Sequence, residues 1–236
     1  DMVTANREID ERKRGLEELI KTTETDLAKL IEPVRKRLLA ERKKNSTNQK
    51  PVDLKPYAAW EFNGDLKSTV GNLPLKSSGN VTFKDGQVVL NRGFLESPKL
   101  PISLKAKTLE VWFSIPNLDQ RGGGVMGTQG PGDFFDTIVL GERQNRHWIS
   151  GSNGFARTLD FPGSTPETAV NQPIHLAMVY LEDGTTLLYR NGVPYGKPFR
   201  RNRATFPKNQ TSIIFGLRHK PAGGNKYLNA SINKAR

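Results

Sequence analysis

IHLAMVYLEDGTTLLYRNGVPYG, at residues 174–196, is the stretch that sets the architecture of this 236-residue chain. Its β-rich runs are separated by Asp183-Gly184 and Asn191-Gly192, dipeptides that tolerate the positive φ angles of tight hairpin turns. Residues 175–181 are apolar on both faces apart from His175, which is typical of a central strand that is covered on both sides. The stretch therefore predicts a three-stranded meander within a larger β-sheet.

Short β-rich runs with turn residues between them continue along most of the chain. In TLEVWFSI, at residues 108–115, alternate apolar residues share one face and Trp112 lies on the other. That second face is either exposed to solvent or a binding concavity, and the favoured alternative is that a neighbouring loop covers Trp112. About a dozen such runs predict an all-β, two-sheet jelly-roll sandwich. Besides the meander, they are residues 57–62, 81–83, 87–90, 94–96, 109–115, 135–140, 147–149, 212–217 and 227–232.

Helix is predicted only near the N-terminus. Apolar residues at a three-four spacing predict an amphipathic helix to about residue 31, and Pro33 is expected to open a second short helix. The polar stretch NSTNQKPVDLKP then predicts a linker. The expected organisation is a helical segment at 1–44, which is a linker helix or the end of a preceding domain, a linker at 45–56 and the sandwich at 57–236. The apolar positions are Ile9, Leu16, Ile20, Leu27, Leu30 and Val34.

Positive charge is concentrated in the last quarter of the chain. The net charge is +12, and residues 184–236 contain 11 Lys and Arg with no Asp or Glu. Such a surface attracts phosphate, sulfate or carboxylate groups. The alternatives are a solvated face or a face that docks on an acidic neighbouring domain.

Several classes of site are excluded by composition. Without Cys the chain has no disulfide, no thiolate zinc site and no haem-attachment CxxCH motif. His147, His175 and His219 are too far apart in sequence to form a metal motif. No apolar run approaches the roughly 20 residues of a membrane span, so no membrane partner is expected.

The glycine-rich residues 119–136 do not predict a dinucleotide site. Gly122, Gly124 and Gly127 formally satisfy GxGxxG, but that fingerprint requires a following helix, which Gly130-Pro131-Gly132 prevents. We predict a flexible connection at the border of a binding site.

The densest mixture of aromatic and hydrogen-bonding residues lies between positions 136 and 157. Saccharide sites use this combination, because sugar C–H faces pack on rings while hydroxyl groups need donors and acceptors. The alternative is a loop that satisfies its own polar groups. With the basic loop that begins at position 218, the predicted ligand-binding residues are Asp136, Arg143, His147, Trp148, Asn153, Phe155, Arg157, Arg218 and His219. Trp148 and Phe155 are the expected ring platforms.

No catalytic residues are predicted. Retaining glycosidases need two carboxyl groups about 5 Å apart, commonly on alternate residues of one strand. Glu110 is the only acid of its strand, and Asp133 and Asp136 lie three apart in a glycine-rich loop. His175 is interpreted as a satisfied core histidine. We therefore expect a binding protein and not an enzyme.

From residue 57 onward the order of motifs resembles the laminin-G-like, concanavalin-A-like jelly-roll domains. The matching motifs are YAAWEFNG, TLEVWFSI, LLYRNGVPYG and IIFGLR. The chain is also similar to the module of large planctomycete-type proteins that carry cytochrome-c-like domains, which implies an extracytoplasmic location and further domains in the same polypeptide. Fold analogy allows calcium, with Asp133, Asp136 and Asp160 as loop acids, and no other cofactor. One departure is Asn233, which stands where the family has Asp, so the closing strand is expected to be incomplete.

These observations predict a non-catalytic module that binds a carbohydrate, including an acidic or sulfated polysaccharide. The alternative is a structural domain that packs against neighbouring domains of the same polypeptide. Nucleic acid is disfavoured as a partner, because Phe199 and Phe206, in the basic stretch, are interpreted as packing residues.

Overall fold

The computed structural model describes residues 2–46 and 55–236, which belong to two compact units, Asp1–Lys55 and Pro56–Arg236. Most of the predicted linker at 45–56 lies outside the described residues. The three-part organisation at 1–44, 45–56 and 57–236 therefore remains a prediction.

The first unit contains one continuous helix, α1 (Met2–Ser46), with Pro33 inside it. The expectation of a second helix that begins at Pro33 is wrong. A proline inside a helix removes one hydrogen bond and costs about 3 kcal/mol, but Leu, Lys, Arg, Glu and Ala, which flank it on both sides, favour helix strongly. No helix in residues 2–46 or 55–236 is long and apolar enough to cross a membrane. Exposed apolar side chains of α1 are Ile9, Leu16, Leu19, Ile20, Leu30, Val34 and Leu38.

The second unit is a sandwich of two antiparallel sheets, which confirms the predicted fold class. The six-stranded sheet has the order β1-β4-β13-β6-β7-β8, and the eight-stranded sheet has the order β11-β10-β9-β5-β14-β3-β2, with β12 paired to β10. The strands are β1 (Lys76–Ser78), β2 (Val81–Lys84), β3 (Gln87–Leu90), β4 (Phe94–Glu96), β5 (Lys107–Ser114), β6 (Gly123–Gln129), β7 (Phe135–Leu140), β8 (Trp148–Ser152), β9 (Ile174–Tyr180), β10 (Thr185–Arg190), β11 (Val193–Pro194), β12 (Phe199–Arg200), β13 (Ser212–Phe215) and β14 (Ala230–Ala235).

The predicted meander is confirmed as β9, β10 and β11. Strand β9 pairs with β5 on one side and β10 on the other, so it is a central strand. Asn191 and Gly192, between β10 and β11, have φ angles of 51° and 77°, as a two-residue type I′ turn requires. Alternate residues of β9 are fully buried and half-buried, so only the face towards the other sheet is completely covered.

The glycine-rich residues 119–136 are not a flexible connection, because they contain the fully buried strand β6. A Cβ atom added to Gly124 would lie 2.6 Å from the Cα of Arg218, and one added to Gly127 would lie 2.0 Å from Thr137 Oγ1. Glycine therefore allows neighbouring side chains and a second backbone segment to lie directly on this strand.

Two other strand predictions require correction. Residues 57–62 form only isolated bridges, Ala59 to Val70 and Trp60 to Ala235. The last strand is β14, which pairs with β3 and β5, and its register shifts between Ile232 and Lys234. The expectation that this strand is incomplete is wrong, because a bulge around Asn233 keeps it in the sheet.

The core between the sheets is apolar in its middle and ionic at both ends. Phe113 and Trp148 meet edge to face with ring centroids 5.5 Å apart. Asp136 lies at one end of the core and Glu167, which contacts Trp148, lies at the other. Both acids are at most 1% exposed.

Candidate functional site

Asp136 is part of a buried ionic cluster. It shares the inner face of β7 with Ile138, towards the eight-stranded sheet, and it is 1% exposed. Its Oδ2 accepts a hydrogen bond from Lys107 Nζ at 2.6 Å, and its Oδ1 accepts one from Arg157 Nε at 3.0 Å. Lys107 and Arg157 expose only 4% and 10% of their side chains. The prediction that Asp136 contacts a ligand is therefore wrong, because its carboxylate is used and covered. We call Lys107, Asp136 and Arg157 the Asp136 cluster.

Aromatic rings surround the cations of this cluster. Lys107 Nζ lies 4.3 Å from the ring centroids of both Tyr180 and Phe206, and the guanidinium of Arg157 lies 4.7 Å from that of Phe134. Burial lowers the pKa of Lys107 to about 8, although the Asp136 carboxylate opposes this change. The cluster thus holds two cations with one carboxylate.

A group of more accessible residues follows β8. Phe155 ends the short 3-10 helix Asn153–Phe155, has a φ angle of 55° and is 43% exposed. The Arg143 guanidinium lies 5.6 Å from the Phe155 ring centroid, and Arg143 Nε is 3.2 Å from the Asp160 carboxylate. Asn153 Oδ1 accepts a hydrogen bond from Arg157 Nη2 at 3.1 Å. We call Arg143, Asn153, Phe155 and Asp160 the Phe155 rim.

An open groove begins at the residue after Phe155. It has a volume of about 830 Å³, and most of its lining is charged. We call it the basic groove, and it is lined by Lys105, Ala156, Glu182, Asp183, Arg200, Arg201, Asn202 and Arg203.

Trp148 cannot serve as a ring platform, because it is completely buried. Its Nε1 donates a hydrogen bond to Glu167 Oε2 at 2.9 Å, and that carboxylate also accepts from Arg190 and from two backbone amides. Burial raises the pKa of Glu167, but these hydrogen bonds outweigh it and hold the pKa below its usual range. The neighbouring His147 is half-buried, with Nδ1 3.1 Å from Ser164 Oγ. We call Trp148, Glu167 and Arg190 the Glu167 cluster.

Arg218 and His219 lie on the outer face of the six-stranded sheet. Thr137 Oγ1 donates to the Arg218 carbonyl at 2.7 Å, and the His219 ring stacks on Phe135 at 4.3 Å. Burial lowers the pKa of His219. Arg218 forms an ion pair with Glu142 and exposes 11% of its side chain. In the part of the chain that the structure describes, no hydrogen bond or ring contact joins these two residues to the Phe155 rim.

A second surface lies on the outer face of the eight-stranded sheet, where the sequence predicted Trp112 but not the residues that cover its ring. Trp112 stacks on His175 at 4.3 Å, and His175 Nε2 lies 2.8 Å from Glu110 Oε1. The interpretation of His175 as a core residue is wrong, because β5 and β9 place both rings on the outer face. The Arg236 guanidinium and Lys234 Nζ lie 5.1 and 5.8 Å from the Trp112 centroid. Lys234 lies on β14 and Arg236 directly follows it, across Trp112 from His175, so neither ring face is open.

Glu110 on this surface is held in its charged form. Burial raises its pKa, but hydrogen bonds from Arg236 and His175 outweigh the effect and the pKa lies below its usual range. Period-two alternation places Glu110 and Trp112 on one face from sequence alone. The register of β5 against β9, which only the structure provides, adds His175 to them.

The acids considered for calcium do not form a metal site. In residues 2–46 and 55–236, no three His, Asp or Glu side chains are grouped as metal ligands, so Asp133, Asp136 and Asp160 are not brought together. The Asp136 carboxylate is already used by two cations.

Comparison with known proteins supports the fold. Domain 4 of AbnA, a GH43 extracellular arabinanase from Geobacillus stearothermophilus, in complex with arabinotriose, is similar with a TM-score of 0.58 and 20% identity, covering 75% of this chain and 89% of that chain. Trypanosoma rangeli sialidase, as a covalent intermediate with 2,3-difluorosialic acid, is similar with a TM-score of 0.52 and 13% identity, covering 75% of this chain and 29% of that chain. The botulinum neurotoxin serotype G binding domain also has a TM-score of 0.52 and 13% identity, covering 75% of this chain and 46% of that chain. At these identities the likeness shows the fold alone.

Sequence comparison identifies the family. No curated protein gives a significant match. The family model Laminin_G_3, described as the concanavalin A-like lectin/glucanases superfamily, matches residues 85–236, which is more than half of the chain. The chain therefore belongs to the concanavalin A-like lectin/glucanases superfamily.

Proposed function

We propose that the sandwich is a non-catalytic carbohydrate-binding module and that its binding surface is the Phe155 rim. The observation that carries this proposal is the exposed ring of Phe155, with a guanidinium and a carboxylate beside it, at the mouth of an open groove. Of the two predicted platforms, Phe155 alone has an accessible face.

The rim has the chemistry that a saccharide requires. The Phe155 ring offers an apolar face to sugar C–H groups, while Arg143, Asp160 and Asn153 offer donors and acceptors to hydroxyl groups. A bulky residue with a positive φ angle is costly, of order 1–3 kcal/mol, and such strain is often retained at ligand sites. The φ angle of 55° at Phe155 is of this kind.

The rim is also held rigidly from below. Arg157 Nη2 donates to Asn153 Oδ1 and to the Phe135 carbonyl, at 3.1 and 2.8 Å. The hydroxyl groups of Ser152 and Thr158 are hydrogen-bonded at 2.9 Å. A rigid support reduces the entropy that is lost when a ligand binds.

The comparisons support the ligand class. The family includes lectins, and the arabinanase domain with a similar fold binds arabinotriose. We propose a polysaccharide as the ligand and, because that arabinanase is extracellular, an extracytoplasmic location for this chain.

The state of the acids supports a non-catalytic role. A retaining glycosidase needs a pair of carboxyl groups, one of them with a raised pKa. Among the described carboxyl groups with a shifted pKa, only that of Glu142 has a raised pKa, because the group is partly buried. The partner of Glu142 is Arg218 and not a second acid. The pKa values of Glu96, Glu110 and Glu167 are lowered.

Affinity electrophoresis of the full chain in gels that contain neutral or acidic polysaccharides tests the proposal. At least one polysaccharide is expected to retard the chain, without release of reducing ends. Phe155→Ala should weaken binding about tenfold, which corresponds to about 1.4 kcal/mol. Phe83→Ala is the matched control, because Phe83 is 41% exposed but lies on β2, at the edge of the other sheet. The proposal fails if no polysaccharide retards the chain or if both variants bind equally.

A second candidate function is protein interaction within a larger polypeptide. It is favoured by the exposed apolar side chains of α1 and by the burial of Trp148, Arg157 and Arg218, which were predicted to contact ligand. Sedimentation of the full chain and of Ile20→Lys tests it. Association that the substitution abolishes supports this function, and a monomer in both cases argues against association through α1.

A further inference from the structure

We infer that the basic groove is an anion subsite, which binds one carboxylate or sulfate group of an acidic polysaccharide held at the Phe155 rim. The inference rests on the proposed function and deepens it by naming the ligand class. Ala156, the neighbour of Phe155 in sequence, lines the groove, so a saccharide on the rim would reach it.

Five of the 11 basic residues after position 183 are neutralised by acids from the earlier part of the chain. The structure shows five such ion pairs, and none of these five cations lines the basic groove. They are Arg190 with Glu167, Arg218 with Glu142, Lys220 with Glu96, Lys234 with Glu61 and Arg236 with Glu110.

The groove arginines are positioned by contacts that leave their charge intact. Arg200 Nε donates to the Asp183 carbonyl at 2.7 Å. Arg203 Nε and Nη2 donate to the carbonyls of Leu181 and Thr185, at 2.8 and 2.9 Å. Carbonyl oxygens orient a guanidinium without cancelling its charge, so the remaining donors can form paired hydrogen bonds with a carboxylate or sulfate.

Two further cations of the groove lack a fixed partner. Lys105 and Arg201 form no side-chain hydrogen bond or ion pair with any residue that the structure describes. Asp183 is held as a carboxylate by Thr185, through the backbone N–H at 2.9 Å and the hydroxyl at 3.0 Å, and with Glu182 it opposes the four cations that line the groove.

The buried cluster behind the groove adds to the positive potential. The Arg203 guanidinium lies 5.2 Å from the Tyr180 ring centroid, and Lys107 Nζ lies 4.3 Å from the same centroid. The basic groove and the Asp136 cluster together contain six cations and three carboxylates, a formal excess of three positive charges. Such an excess of positive charge attracts an anion. The members are Lys105, Lys107, Arg157, Arg200, Arg201 and Arg203, with Asp136, Glu182 and Asp183.

A second groove on the molecule shows that this excess is local. That groove has a volume of about 400 Å³, and Lys99 and Lys220 line it. Both lysines face the Glu96 carboxylate, at 3.8 and 2.7 Å. This leaves a formal excess of one positive charge, compared with an excess of two among the residues that line the basic groove.

The aromatic residues favour an acidic saccharide over a nucleic acid. Proteins that bind single-stranded nucleic acids stack successive bases on several exposed rings. Phe199 and Phe206 are buried, and Tyr180 lies beneath cations. The groove has one exposed ring at its mouth, that of Phe155, which suits one sugar unit.

The test compares polygalacturonate with its fully methyl-esterified form, which has the same backbone with the carboxylates masked. Dextran sulfate and dextran form the corresponding sulfate pair, and a single-stranded oligonucleotide is a polyanion that is not a polysaccharide. Binding to the full chain is measured by titration calorimetry at 50 and 500 mM NaCl. The wild type should bind at least one acidic form at least tenfold more tightly than its neutral partner at low salt.

Two substitutions locate the subsite. Arg201→Gln should reduce the ratio of acidic to neutral affinity at least fivefold. Lys208→Gln removes another exposed cation, which lies outside the groove, and should change the ratio less than twofold. Phe155→Ala should weaken binding of both forms, which separates the rim from the groove.

The outcomes distinguish the two proposals. If acidic and neutral forms bind equally and only Phe155→Ala weakens binding, the proposed function stands and the anion subsite is overturned. If no saccharide binds, both are overturned. The subsite is also overturned if the oligonucleotide binds as tightly as the acidic polysaccharides, or if Lys208→Gln has the same effect as Arg201→Gln.

Discussion

The two ionic clusters at opposite ends of the sandwich core have similar parts but different charge balance. In the Glu167 cluster, one carboxylate faces one guanidinium, one indole N–H and two backbone amides. In the Asp136 cluster, one carboxylate faces two buried cations, and Arg203 connects that region to an open groove.

This difference separates a structural element from a functional one. The Glu167 cluster satisfies its carboxylate and is charge-balanced, so it joins β8 to β10 and needs no ligand. In the Asp136 cluster, by contrast, one carboxylate neutralises only one of the two cations, so one positive charge is left without a partner. An anion in the basic groove would complete the charge balance, which is the reason to place recognition at this end of the sandwich.

Asp136→Asn should have the largest effect on stability. It leaves Lys107 and Arg157 buried with no carboxylate between them, so the free energy of unfolding should fall by about 4 kcal/mol at pH 7. Urea denaturation measures this. Glu182→Gln is the control, since it removes an acid of the groove outside the core, and a change below about 0.5 kcal/mol is expected. A loss below about 1 kcal/mol for Asp136→Asn would show that the cluster is well solvated.

Glu167→Gln should have the next largest effect. Its carboxylate is fully buried, but Arg190 keeps 28% of its side chain exposed and can be partly resolvated. We therefore expect a loss of about 2–3 kcal/mol in urea denaturation, without any change in affinity for saccharides. A loss of binding in this variant at constant fold would contradict the assignment of a purely structural role.

The pH dependence of stability should differ between the two ends. The pKa of Lys107 is about 8 in the folded chain, whereas an unperturbed lysine, as in the unfolded chain, has a pKa of 10.5. Above pH 8 the unfolded state therefore holds a proton that the folded state has lost. Stability therefore rises with pH across this window. Between pH 7 and 9.5 the wild type should gain about 2 kcal/mol relative to Lys107→Met, which lacks this titration.

Denaturation curves of both proteins at several pH values provide this measurement. Because Glu167→Gln keeps Lys107, its curve should follow that of the wild type. A constant difference between the wild type and Lys107→Met from pH 7 to 9.5 would mean that Lys107 stays charged in the core.

Much of the fold was predictable from sequence, because turn dipeptides and period-two patterns are local signals. The meander and β7 follow directly from residues 174–196 and 135–140. Strand β6 was missed because its glycines make room for the segment around Arg218, which packs directly on them. That segment is about 90 residues away in sequence, so no local pattern shows the contact. The continuous α1 was missed because a proline signal outweighed the helix propensity of its neighbours.

The binding residues were less predictable, since composition does not reveal which side of a strand faces the core. Phe155 and Trp148 both looked like platforms, but Trp148 shares the inner face of its strand with Ser150 and is buried. Trp112 lies on β5, His175 lies on β9 and Arg236 follows β14, and only the register of these strands brings the three residues together. The excess of basic residues was visible in sequence, but the ion pairs that neutralise five of them were not.

Arg201→Gln should have the smallest effect on stability, and it tests the comparison of the two clusters most directly. Arg201 is exposed and makes no side-chain hydrogen bond or ion pair with the described residues, while its neighbours Arg200 and Arg203 are cations. Removing one of several like charges relieves repulsion, so the free energy of unfolding should stay within about 0.5 kcal/mol of the wild type or rise slightly. The measurement is urea denaturation at 50 mM NaCl, where screening is weak.

Adding 50 mM sulfate should stabilise the wild type more than the variant, because a bound anion offsets the repulsion only where the subsite is intact. Lys208→Gln should respond to sulfate as the wild type does. Equal stabilisation of all three proteins would mean that sulfate acts through general exclusion from the protein surface, and that the positive excess of the groove is an ordinary solvated surface.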